Sequence, residues 1–239
     1  PASAALLARL VTAERRAFVF SVRQTGNQIG AVCGSLALPA IAIAFGPAWC
    51  YAAVAALALL AIALFEWLRP AYAGKIVPPP KLDLRARLAL VTADRRIAML
   101  ALASMPFSAM QVSLNTVFVT LGTRELGLSH IEAGMALACA QAGGLIGRLG
   151  WGYVAMRLDA SRAVLIVIGL GMALCAALLG LDGGSLGRTW QFVVAALFGL
   201  TASGWNGVFI AEIARLAPQD RIGETTGAVL TASYAGLLA

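Results

Sequence analysis

The chain has 239 residues, of which 60% are hydrophobic and only 12% charged, with a formal net charge of +7. A soluble domain carries about 25% charged residues, so a soluble enzyme, a nucleic-acid-binding domain and a secreted disulfide scaffold are excluded. An all-α membrane protein, a multi-span helical bundle, remains: a bilayer core about 30 Å thick needs about 20 apolar residues per helix, and several stretches reach that length.

Residues 1–17 form a short amphipathic or loop segment ending in Glu14-Arg15-Arg16. A first span is predicted from about Ala17 to Phe45, a tight turn at Gly46-Pro47, and a second span from about Ala48 to Leu68. Residues 69–96 are the one long hydrophilic stretch, with Lys75, Pro78-Pro79-Pro80, Lys81 and Arg85. They read as an extended proline linker followed by a short basic helix. A third span covers about Ile97–Leu121. Ser129 and Glu132 form a capping-box pattern ahead of a fourth span, about Ile131 to Ala155. A basic connection from Arg157 to Arg162 leads to a fifth span, Ala163–Leu181. A glycine-rich turn (Gly183, Gly184, Gly187) leads to a sixth at about Trp190–Ala214, and Pro218 and Gly223 precede the start of a seventh near Glu224. Because the chain begins at Pro1 and stops inside an apolar run at Ala239, it is read as a piece of a longer polypeptide.

The cations fix an orientation. Sixteen of the 18 Lys and Arg residues fall in or beside one alternating set of connections, and only Arg124 and Arg188 fall in the other. Positive-inside bias assigns the first set to the cytoplasm. Cys33, Cys50, Cys139 and Cys175 form no CxxC and no metal-ligand spacing. Each lies in or at the end of a span, where a thiol packs as a small apolar group, so no cofactor or metal is implied.

Polar residues are unevenly spread among the spans. The second and fifth contain no Ser, Thr, Asn, Gln or charge between Ala48 and Phe65 or between Ala163 and Leu181, as expected of helices that face lipid or pack with small residues. The other four carry amides and hydroxyls at membrane depth, where unpaired polar groups are costly. Ser104, Ser108, Gln111 and Asn115 fall at steps of four, three and four, one stripe on a helix. Gln141 and Arg148 share a face, and Asn206 stands beside Ser203 with Trp205 flanking. Gln24, Gln28 and Ser35 form another stripe, while Gly26, Gly30 and Gly34 make a repeated GxxxG suited to close helix approach. Each amide taken singly is read as interhelical glue, the whole set as the lining of a polar cavity.

The order of these features resembles the major facilitator superfamily of secondary transporters over essentially the whole chain. The segment from Pro1-Ala2-Ser3 through Arg15-Arg16 to Val22-Arg23-Gln24-Thr25-Gly26-Asn27-Gln28-Ile29-Gly30 resembles the family's loop four–five and fifth helix, and the proline-rich basic stretch its central loop. Gly147-Arg148-Leu149-Gly150-Trp151-Gly152-Tyr153-Val154-Ala155-Met156-Arg157 through Arg162 resembles the loop signature between helices eight and nine. Gly204-Trp205-Asn206-Gly207-Val208-Phe209 with Glu212-Ile213-Ala214-Arg215 resembles helix ten of bacterial members. The resemblance implies part of a twelve-helix fold of two six-helix halves. Residues 1–68 would be the end of the N-terminal half (helices five and six), 69–96 the cytoplasmic central loop, and 97–239 a truncated C-terminal half (helices seven to the start of eleven). The family's helices six and nine lie outside its cavity, and they correspond to the two all-apolar spans. Met156 stands where the loop signature has Asp, and Asp159 where it has glycine, so the loop arginines are implied without a complete charge-relay gate. Gly34-Ser35 replaces the Gly-Pro pair of proton-coupled drug antiporters, and that subclass is not assigned.

The expected function is secondary active transport of a small polar or anionic solute by alternating access. Coupling to a proton or counter-solute is included, in a multi-pass protein of the bacterial inner membrane with the lipid bilayer as its surroundings and no nucleic-acid partner. Gln111, Asn115, Gln141, Trp205 and Asn206 are the candidate cavity residues, with Gln24 and Gln28 nearer the cytoplasmic mouth. Gly152, Arg157 and Arg162 form the candidate cytoplasmic gate loop. Arg23 is either an anion contact or a side chain that snorkels to headgroups. The alternative is a non-transporting receptor or assembly subunit on the same fold. An enzyme is not expected, since the lone His130 sits at a helix start and no paired acids lie within the spans.

Overall fold

The computed structural model describes residue 7 and residues 11–72, 89–182, 185, 187–218 and 221–235. The prolines and most of the cations expected in the 69–96 connection, and Gly183 and Gly184, lie outside these residues. The described residues form helices α1 (Arg16–Phe45), α2 (Pro47–Tyr72), α3 (Arg95–Thr116), α4 (Phe118–Arg124), α5 (His130–Leu158), α6 (Ser161–Asp182), α7 (Arg188–Ala202), α8 (Trp205–Leu216) and α9 (Ile222–Ala235). A 3-10 turn at Ala13–Arg15 precedes α1.

Among the described residues four stretches are long and apolar enough to cross a membrane: Pro47–Arg69, Arg95–Thr116, Ser161–Leu181 and Arg188–Leu216. The last is two helices in line. The predicted sixth span is interrupted at Ser203-Gly204, where Thr201 O accepts from Gly204 N at 3.3 Å in place of a regular helical bond. The third span likewise ends at Thr116 rather than Leu121, with Val117 joining α3 to α4. α5 runs 29 residues without reaching the same apolar content, because Gln141, Arg148 and a series of glycines dilute it.

The chain divides into two compact units, Asn27–Leu82 and the remainder. The smaller holds the second part of α1 and α2. They are joined at Gly46, whose φ of +96° suits the residue that follows a helix end, and Pro47 supplies a fixed φ at the start of α2. No residue in the apolar window of Pro47–Arg69 is buried. Trp49, Leu57, Leu60 and Phe65 are all exposed, the surface expected of a helix solvated by acyl chains.

In the larger unit α5 and α7 pack most closely, and glycine makes this possible. A Cβ at Gly143 would strike Ala196 O, one at Gly147 would strike Leu200 O, and one at Gly199 would strike Ala140 O. Backbone thus meets backbone, the arrangement by which small residues drive helix association in lipid. A Cβ at Gly26, the last residue of α1 in this unit, meets none of the described residues within 4 Å. Instead α1 meets this unit through the stretch Ala17–Gln24. Ser21 is fully buried and lies where Cβ atoms at Gly152 and Gly207 would be, and Phe18 makes an edge contact with Tyr153. α6 packs along α7, and α3 along α9, where the Ser104 and Ser233 hydroxyls hydrogen-bond.

The starts of α3 and α5 are fixed by side chains. The Asp94 carboxylate accepts from Arg96 N at 2.8 Å and begins α3. Ser129 and Glu132 form the reciprocal capping box that begins α5, and Glu132 Oε2 also accepts from Arg188 Nη1 at 2.7 Å, tying the start of α5 to that of α7.

Candidate functional site

Three helices converge on a run of carboxamides. Asn206, in the first turn of α8, donates from Nδ2 to Gln111 Oε1 on α3 at 3.1 Å. One turn along α3, Asn115 Nδ2 donates to the Gln111 backbone oxygen at 2.7 Å. Asn115 Oδ1 accepts from Gln141 Nε2 on α5 at 2.8 Å. The relay Asn206–Gln111–Asn115–Gln141 therefore joins α8, α3 and α5, and it contains four of the five residues expected to line the cavity. It grades from buried surroundings to solvent-accessible ones: Gln111, Asn206 and Gln141 are half-buried, and Asn115 is exposed. Among the described residues Gln111 Nε2 and Asn206 Oδ1 have no hydrogen-bond partner, which leaves a donor and an acceptor on a half-buried surface.

The fifth expected residue, Trp205, lies in the core at 2% exposure. Its ring stacks on Phe107 with centroids 5.2 Å apart and meets Phe209 edge-on at 5.1 Å. The stack backs the relay, because Phe107 precedes Gln111 by one turn on α3 and Trp205 precedes Asn206 on α8. Phe107 was not singled out from the sequence. Its four-residue spacing from Gln111 is the signal that finds it.

The stripe on α3 divides its work by depth. Ser104 bonds α9, Gln111 bonds α8, and Asn115 bonds α5. On α5, Arg148 is buried at 4% exposure and donates from Nη1 to the Gln24 backbone oxygen at 3.0 Å, so Gln24 joins the larger unit through its carbonyl. Arg23, on the next position of α1, is exposed. Gln28 is buried on the part of α1 that belongs to the smaller unit.

Of the expected gate-loop residues, Gly152 is the one closed over by Ser21. Arg157 folds back on its own helix. Its Nε donates to the Tyr153 hydroxyl at 2.8 Å, and its guanidinium lies 5.4 Å from that ring's centroid. Arg162 is exposed in the first turn of α6. Between them Asp159 ends α5 with φ +47°, the left-handed conformation that glycine adopts most readily and aspartate tolerates. This gives a physical reason for the glycine that the family pattern has there.

A bundle of apolar helices with hydrogen-bonded amides linking three of them at membrane depth has the organisation of a membrane transport protein. The chain matches the Major Facilitator Superfamily over residues 1–239, and it belongs to that family. It is accordingly a multi-pass membrane transporter of a family whose members carry small-molecule solutes and are not enzymes. None of the curated proteins and none of the solved structures compared with it gave a match.

Proposed function

We propose that the chain forms part of a secondary active transporter that moves a small polar or anionic solute across the bacterial inner membrane by alternating access. Residues 1–68 would contribute the last helices of one half-bundle and residues 97–239 most of the other, with 69–96 as the connection between them. The observation that carries this reading is the carboxamide relay from Asn206 through Gln111 and Asn115 to Gln141. Such groups both donate and accept, so they can exchange bonds with one another for bonds to a solute without leaving a bare charge in the membrane. Transport is coupled to a proton or to a counter-solute, and Gln24 and Gln28 stand nearer the cytoplasmic mouth.

The test is flux in proteoliposomes holding the complete polypeptide, screened against hydroxylated, amide-bearing and carboxylate-bearing solutes. Substituting Gln111→Leu together with Asn115→Leu is expected to abolish the flux while monodispersity in detergent stays that of the parent. Unchanged flux in that variant would move the solute site elsewhere. A parent protein that binds a solute without moving it would favour a receptor.

A further inference from the structure

At the arginine-rich end of the larger unit, α3, α6 and α8 surround a cavity of about 460 Å³, within the size range of small-molecule sites. Its walls are apolar, with Ala103 and Phe107 from α3, Ile166 and Gly169 from α6, and Phe209 from α8. Gly169 sets its width, because a Cβ there would come within 3.0 Å of Phe107 Cζ. Its polar groups are all at one end, where Arg96 begins α3, Arg162 begins α6, and Glu212 and Arg215 close α8. The three helices therefore present this end at one level.

The guanidinium groups are only partly committed. Asp94 takes Nε and Nη2 of Arg96, and the buried Glu212 takes Nε and Nη2 of Arg215 at 2.8 and 2.6 Å. Among the described residues the Nη1 group of each meets no acceptor, and neither does Arg162. Asp159 stands near Arg215 without bonding it. Arg96, Arg162 and Arg215 are matched in number by Asp94, Glu212 and Asp159, so the mouth offers uncommitted guanidinium N–H donors rather than excess charge.

We propose that this cavity holds one anionic phospholipid, its phosphodiester on Arg162 and the Nη1 groups of Arg96 and Arg215, and one acyl chain in the apolar slot. Two features favour a lipid over a soluble phosphate. From Arg96 to Phe107 the slot descends about 16 Å at 1.5 Å per residue, close to the half-thickness of about 15 Å that one leaflet's chains occupy. The walls below the arginines also offer a small anion nothing to bind, whereas basic pockets between membrane helices are recurrent sites for anionic headgroups. The site shares α3 and α8 with the carboxamide relay, with Phe107 between them, but lipid retention is read with no solute present, so the two readings fail separately.

The experiment places the complete polypeptide in nanodiscs of phosphatidylglycerol and phosphatidylcholine and counts retained lipid by native mass spectrometry. One retained phosphatidylglycerol is expected. Arg162→Gln should lower its retention about fivefold, the share of one arginine near the headgroup plane. Ala103→Trp, which fills the slot, should remove it with Arg162 intact. A benzophenone side chain at position 103 should form a lipid adduct, a readout that does not depend on the tryptophan variant folding. Equal retention in all variants, equal retention of phosphatidylcholine, displacement by inorganic phosphate, or an adduct to another segment of the same polypeptide would each overturn the proposal.

Discussion

Asn206 and Gln111 are 95 residues apart in the chain, yet the side-chain amide of one lies 3.1 Å from the side-chain oxygen of the other. Through this bond the first turn of α8 is held to the last third of α3. It carries the first prediction. A double-mutant cycle of Gln111→Leu and Asn206→Leu, read by unfolding in mixed micelles, should give a coupling of about 0.5–1.5 kcal/mol, the range of interhelical hydrogen bonds in membranes. Asn115→Leu should reduce solute flux more than either, because Asn115 holds both the Gln111 carbonyl and Gln141. A cycle with no coupling would mean that the two amides exchange with water instead of with each other.

The α5–α7 crossing predicts a contrast between glycines of one helix. Gly143→Ala should destabilise by at least about 1–3 kcal/mol, since the added methyl strikes the Ala196 carbonyl on a neighbouring backbone that has little room to move. Gly150→Ala meets nothing within 4 Å and removes a residue of poor helix propensity, so a gain of up to about 1 kcal/mol is expected. Thermal unfolding of both variants in the same detergent reads the difference. Equal losses would mean that α5 and α7 do not cross on their glycines.

Glu212, with 2% of its side chain exposed, depends on Arg215, whose side chain is 58% exposed. Arg215→Leu should therefore cost about 1–3 kcal/mol by leaving a buried carboxylate without its charge-assisted bonds. Combining it with Glu212→Leu should restore most of that loss, because removing both partners leaves nothing to desolvate. The measurement is the unfolding midpoint of the two variants side by side. A double variant no better than the single one would show that the pair is not the unit that matters.

Acid should loosen the start of α3. The Asp94 carboxyl is held below its ordinary value of 3.8 by the Arg96 side chain and then by the Arg96 backbone N–H. A carboxyl with a lowered folded value contributes stability that is complete above its unfolded value and lost as pH falls through the folded one. Asp94→Asn should remove that acid-side dependence and leave the neutral-pH behaviour nearly unchanged, because asparagine also caps helices. Hydrogen exchange at Arg95–Ala98, followed from neutral pH to below the carboxylate range, gives the readout.

Much of this protein follows from its sequence alone. Composition and the lengths of its apolar runs determine a helical membrane protein, because the bilayer leaves the backbone few other ways to satisfy its hydrogen bonds. The capping box at Ser129 and Glu132 and the turn at Gly46-Pro47 are local, and local chemistry is written in adjacent residues. The stripe of Ser104, Ser108, Gln111 and Asn115 was legible as one helix face for the same reason. Its partners were not, since a periodic pattern says which side of a helix is polar and not which helix will meet it. Only tertiary structure paired Ser104 with Ser233, Gln111 with Asn206, and Asn115 with Gln141. It also decided which glycines bring backbones together. Within the larger unit Gly26 meets none of the described residues within 4 Å, while Gly143, Gly147 and Gly199 bring α5 and α7 backbone to backbone. A glycine permits close approach, but the neighbour that uses it comes from a distant part of the chain.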